Sequence, residues 1–183
     1  MNRIAPIQSA EATGKAKDLL TAVQSKLGIT PNMTKVMANS PAALEAYLNF
    51  SGALAGGALN AQFREQIALT VAQANGCEYC LSAHSAIGKM VKLSDSEIGS
   101  ARSARSADAK RDAGLRFAQK AVVSRGDVTD GDLAEVRAAG LTEGEITEIV
   151  ANVALNVYTN YLNKIAQTEV DFPRVSVSLS TAA

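Results

Sequence analysis

Two cysteines and one histidine fall within eight residues, in the run Asn75-Gly76-Cys77-Glu78-Tyr79-Cys80-Leu81-Ser82-Ala83-His84, and the 183-residue chain has no others. Cysteines three apart on a helix share a face, with β-carbons about 5–6 Å apart. A relaxed disulfide wants roughly 3.5–4.5 Å there. The pair can close, but under strain, and strained bridges are the readily reduced ones. Where thiols are kept reduced, such a pair suits turnover better than stapling a fold. Asn75-Gly76 reads as a break between two helices. Both cysteines then lie in the first turn of the second helix, where free amides and the helix dipole favour a thiolate. His84 lies one turn beyond Cys80 on the same face and can accept its proton or pair with its thiolate. Glu65 precedes Cys77 by 12 residues, in the helix before. If the two helices fold back at Gly76, it reaches the cluster and helps His84 act as a base.

The same residues admit other readings. Cys77, Cys80, His84 and Glu65 have ligand types that suit zinc. However, Cys77 and His84 are separated by about 10 Å of helix rise, so convergence on one ion demands a distorted helix. Free cysteines are also often small core hydrophobes without reactivity, and the stripe 77, 80, 84 is what a core-facing helix presents. A third reading is a redox-responsive binding or assembly module with little turnover.

The elements that must position these residues read as all-helical. Gly28 ends a periodic stretch from Ala10 to Leu27, as a helix-terminating glycine does. Thr30-Pro31 and Ser40-Pro41 each place a capping residue before a proline at the first helical position. A helix from Pro41 turns Leu44, Leu48 and Leu54 toward a core. Asn60 caps the next, in which Phe63, Ile67 and Val71 recur at spacing four. Helices follow from Cys77 to about Met90, over Asp108–Ser124, from Thr129 to Gly140 and over Glu143–Lys164. Ser94 to Glu97 and Thr142 to Glu145 read as capping boxes. In the last helix Ile146, Ile149, Val150, Val153 and Val157 mark one face. Residues 1–183 form a single helical domain with its motif core at 60–90. The Ser-rich tail 169–183, with alternating Val175, Val177 and Leu179, reads as flexible rather than as a strand.

Composition removes several functions. Lys+Arg and Asp+Glu balance at 18 each, and aromatics make up 4% without any Trp. Neither a basic surface for nucleic acid or anionic lipid nor a base-stacking platform is indicated. Arg102, Arg105, Lys110 and Arg111 read as a solvated linker. Tyr158 and Tyr161, with Asn156 and Asn160, read as core or interface packing. No apolar run approaches the roughly 20 residues of a membrane helix, and Met1–Leu20 lacks a signal-like stretch. The expectation is a cytoplasmic protein.

Glu65 followed by Cys77-x-x-Cys80-x-x-x-His84 resembles the AhpD-like alkylhydroperoxidases of the carboxymuconolactone decarboxylase superfamily. The stretch from Pro31-Asn32-Met33 to Asn39-Ser40-Pro41 is similar to the peroxidase-related branch. The resemblance implies an all-α, AhpD-like bundle that reduces organic hydroperoxides or hydrogen peroxide without a metal or other cofactor. By carry-over, Cys80 is the peroxidatic thiolate and Cys77 the resolving one that closes the disulfide. Glu65 and His84 form the proton relay. The implied partners are an external dithiol, lipoyl or thioredoxin-like, and further copies of the chain in a trimer or hexamer. The superfamily's decarboxylases lack the cysteine pair. Tyr79 stands where the alkylhydroperoxidases carry a second histidine, and a phenol is a poor base near neutral pH.

Overall fold

A computed structural model describes residues 2–178, and among these it contains nine α-helices and no strand. They are α1 (Gly14–Leu27), α2 (Asn32–Met37), α3 (Pro41–Ala55), α4 (Ala61–Ala74), α5 (Glu78–Met90), α6 (Asp95–Arg102), α7 (Ala109–Val123), α8 (Asp130–Ala138) and α9 (Glu143–Ala166). The starts are set locally. Ser40, Asn60, Asp108 and Thr129 each accept from an amide of the following turn. Full capping boxes form at Ser94/Glu97 and Thr142/Glu145, as the sequence predicts. Each satisfies donors that a helix start otherwise leaves unpaired.

Helix α4 is the centre of the molecule. It packs against α5, α6, α7 and α9, and every residue from Gln66 to Ala72 is buried. Small and aliphatic side chains fill most of that stretch, and Thr70 Oγ1 donates to the Ala101 carbonyl of α6 at 2.6 Å. A smaller cluster of Ala12, Ala16, Leu20, Met37, Ala38 and Leu44 joins α1, α2 and α3, and Met33 packs against both clusters.

Several expectations need correcting. Leu54 is only partly buried and lines a cavity instead of filling the core, whereas Leu48 packs on the smaller cluster and lines the cavity as well. Val150 is 48% exposed, so the apolar face of α9 is Ile146, Ile149, Val153 and Val157. Thr30 does not cap α2, and Pro31 sits at the cap position without a side-chain bond. Distant groups serve that start: Asn32 N donates to Asp171 Oδ2 at 2.7 Å and Met33 N to Tyr79 Oη at 3.1 Å. Arg102 belongs to α6 and is no linker residue; it donates to Gln73 Oε1 and to the carbonyl of Ser176.

The tail also departs from expectation. Residues 169–178 lie against the bundle, with Val170, Phe172, Val175 and Val177 packed on the main core. Backbone groups of the tail are paired by helix side chains: Val175 N donates to Ser82 Oγ, and the Val177 carbonyl accepts from Gln73 Nε2. A segment with apolar side chains inward and its backbone partnered gains what a free tail lacks. Leu179 lies outside the described residues.

Close helix packing has one sharp test. A Cβ on Gly114 of α7 would stand 2.6 Å from Phe63 Cζ and 3.2 Å from Ile149 Cδ1, and both side chains are buried. Gly114→Ala should therefore destabilise the fold by about 1–3 kcal/mol through overpacking, although alanine is the better helix former. Thermal or urea unfolding measures this; a stabilised variant would show that the α4–α7 contact is loose.

Candidate functional site

Only Asn75, Gly76 and Cys77 separate α4 from α5. Gly76, at φ 61°, takes the left-handed conformation that a side chain disfavours. Gly76 N then bonds Gln73 O and Cys77 N bonds Ala72 O, closing the end of α4 in a Schellman arrangement. The chain leaves this turn directly as the N-cap of α5. The sequence places Cys77 inside the helix; it is the cap, and its Sγ accepts from Cys80 N at 3.3 Å. Helix α9 secures the turn from outside, since Lys164 Nζ donates to the Asn75 carbonyl and Asn160 Oδ1 accepts from Asn75 Nδ2.

Cys77 and Cys80 are joined as a disulfide with Cα atoms 5.3 Å apart, and both residues are buried. Folding back at Gly76 lays α5 along α4. His84 Nδ1 then meets Glu65 Oε2 at 2.8 Å, each side chain about one-fifth exposed. All four residues singled out in the sequence are thus brought to one place. Among the described residues, no three His, Cys, Asp or Glu side chains converge as a metal site.

A cavity of about 280 Å³ opens beside this group. Glu65, Cys80 and His84 line it, and Cys77 does not. Leu27, Leu48, Leu54 and Ile87 supply apolar wall, while Asn152, Asn156, Thr159 and Asn163 of α9 supply a polar one. Two groups near Cys80 are invisible to local sequence reasoning. Asn163 Nδ2 donates to Cys80 Sγ at 3.4 Å from 83 residues away. The only sequence signal for it is the run of asparagines at 152, 156, 160 and 163 on an otherwise apolar helix. Tyr47 of α3 also lines the cavity; burial, then the nearby Glu65 charge, pushes its phenol up to about 12.

Tyr79 has a different task from a base. Its hydroxyl accepts from Met33 N, and its ring meets Phe172 edge-on with centroids 5.8 Å apart. Burial, with Asp171 adding to it, drives its phenol far above the usual tyrosine range despite the Met33 bond. Tyr79 thus joins α5 to α2 and to the tail.

Both raised phenols have a consequence for alkaline stability. In the unfolded chain a tyrosine ionises near its ordinary value of 10.0. The folded protein holds Tyr47 protonated to about 12. Above pH 10 the unfolded state binds fewer protons than the folded one, so stability falls with pH. The stabilisation is complete below pH 10 and is lost through about pH 12. The urea midpoint should drop across that window, and Tyr47→Phe should flatten the drop; equal slopes would mean that Tyr47 is solvated.

The chain's likenesses agree with this picture. Residues 41–120 match the carboxymuconolactone decarboxylase family. A peroxidase-related protein with an alkylhydroperoxidase AhpD core from Ralstonia eutropha JMP134 is 23% identical, with a TM-score of 0.83 over 93% of this chain and 92% of that one. A peroxidase-related protein from Silicibacter sp. TM1040 is 21% identical, with a TM-score of 0.80 over 97% and 94%. The debrominase Bmp8, in complex with 2,3,4-tribromopyrrole, is 20% identical, with a TM-score of 0.79 over 92% and 91%. At these identities the structural likeness is one of fold. No curated protein matches the sequence. The chain thus matches the carboxymuconolactone decarboxylase family from α3 into α7 and shares the fold of an AhpD-core protein over nine-tenths of its length.

Proposed function

We propose that the protein is a thiol-dependent peroxidase that reduces organic hydroperoxides or hydrogen peroxide through Cys77 and Cys80. One observation carries the reading. Cys80, within disulfide reach of Cys77, lines the same cavity as the hydrogen-bonded Glu65–His84 pair. A nucleophile, a proton-transfer pair and a resolving thiol thereby share one site.

In the dithiol state the Cys80 thiolate attacks the distal peroxide oxygen. The sulfur–oxygen bond forms and the oxygen–oxygen bond breaks. The leaving alkoxide takes a proton through His84, with Glu65 holding the imidazole in place. Cys77 thiolate then attacks the Cys80 sulfenic acid; the disulfide closes and the oxygen leaves as water. The two thiols lose two electrons and the peroxide gains them. An external dithiol, lipoyl or thioredoxin-like, returns them by exchange. The exposure of Cys80 to the cavity favours it over Cys77 as the attacking sulfur.

Cys80→Ser should abolish consumption of cumene hydroperoxide, and Cys77→Ser should leave a sulfenic acid on Cys80 that dimedone traps. His84→Ala and Glu65→Gln should slow thiol loss by about 10²–10⁴-fold, the usual contribution of a positioned acid–base group. Dimedone labelling of Cys77 alone would reverse the two roles. Two thiols inert to peroxide would remove the activity, and 2,3,4-tribromopyrrole run in parallel separates the two electrophile classes. One zinc per chain would move the site to metal binding.

We further propose a homo-oligomer, a trimer or hexamer. Val150, Tyr158, Tyr161 and Ile165 form an exposed apolar stripe along α9, from 39% to 62% accessible, of the kind that marks a contact surface. Light scattering after size exclusion should give a multiple of 19.0 kDa, and a lone monomer at micromolar concentration would end this proposal.

A further inference from the structure

The four asparagines of α9 are all buried, but their side chains have different partners. Asn152 and Asn156 donate to carbonyls one turn back on their own helix, each at 2.8 Å. Asn160 Oδ1 holds the Gly76 turn through Asn75. Asn163 faces the sulfur. Its Nδ2 donates to Cys80 Sγ, and its Oδ1 is buried without a partner. Asn163 also lines the cavity that Cys80 faces. An amide oxygen held in the interior with nothing to accept is unfavourable and calls for a donor.

We propose that Asn163 is a further residue of the thiol chemistry at Cys80, serving it with both ends of its amide. The inference rests on the peroxidase reading for its substrate half only. The Nδ2–H group stabilises the Cys80 thiolate, since a hydrogen bond to the charged form favours that form and is stronger than one to a neutral sulfur. The Oδ1 atom accepts the O–H of the incoming hydroperoxide. Its distal oxygen is then held beside Cys80 Sγ while the alkyl group extends along the apolar wall. On attack that hydrogen remains with the distal oxygen and becomes the sulfenic acid hydrogen, while the alkoxide departs toward His84. The arrangement needs no additional co-reactant.

The test uses the full-length reduced protein and three variants, Asn163→Ala, Asn163→Asp and Asn163→Ser. Cys80 alkylation by iodoacetamide is followed by mass spectrometry from pH 5 to 10. The other titratable side chains on the cavity wall, Lys26, Tyr47, Arg64, Glu65, Tyr79 and His84, stay in place throughout. In Asn163→Ala the profile should move to higher pH and the rate at pH 7 should fall about tenfold, the effect of losing one bond to a charged group. Asn163→Asp, nearly isosteric, should move it further, because a carboxylate replaces the donor. An unchanged profile in folded Asn163→Asp and Asn163→Ser overturns the thiolate role, even if peroxide turnover falls. For the substrate half, KM for cumene hydroperoxide should rise more in Asn163→Ala than in Asn163→Asp, which retains an acceptor oxygen. Equal KM values in all forms overturn that half. The alkylation profile does not depend on peroxide turnover, so a protein that consumes no peroxide fails the peroxidase reading while this measurement still decides the role of Asn163 at the sulfur.

Discussion

The left-handed turn at Gly76 is the constraint on which the site depends. The most deeply buried helix must end and reverse within three residues, because Cys77 both closes the end of α4 and caps the start of α5. A longer loop would leave the register between the two helices free. With the register fixed, a carboxylate three turns before the break and an imidazole two turns after it come to 2.8 Å. The reversal is held from three sides: by its own backbone bonds, by Asn160 and Lys164 of α9, and by the tail through Gln73 and Ser82. Such over-determination is how a scaffold keeps reactive groups in place without covalent help.

The cysteines differ in environment although they share a helix turn. Cys77 is embedded in the cap, with its sulfur occupied by the Cys80 amide. Cys80 faces the cavity and receives the Asn163 amide from another helix. Two sulfurs of the same type are therefore inequivalent for reasons of placement alone. The cavity lining is mixed at larger scale, with aliphatic side chains from α1, α3 and α5 and amides from α9.

Tyr79 ties α5 to α2 and to the tail beside the site. The phenol between the cysteines is buried, accepts from Met33 N, the second amide of α2, and packs on Phe172. The N-terminus of a six-residue helix that lacks a local side-chain cap is thereby satisfied by groups from α5 and the tail.

The sequence by itself determined the helices and their starts. Capping residues, prolines and glycines act over a few residues, so Ser40, Asn60, Ser94, Thr129 and Thr142 mark helix starts without knowledge of the fold. It also determined the chemical set, because Cys77, Cys80 and His84 lie within two turns of one helix and Glu65 lies in the helix before. Only the tertiary structure decided whether Glu65 reaches His84, since that depends on how two helices cross. It alone brought in Asn163 and Tyr47, which come from helices 83 and 33 residues from Cys80, and it alone set Leu48 and Leu54 on a cavity wall. The tail belongs with these. Its polar composition argues for freedom, and only the packed bundle presents Gln73, Ser82 and Arg102 where they can pair its backbone. Local signals fix what a segment becomes; which side chains meet across segments is fixed by packing, and packing has no short-range signature.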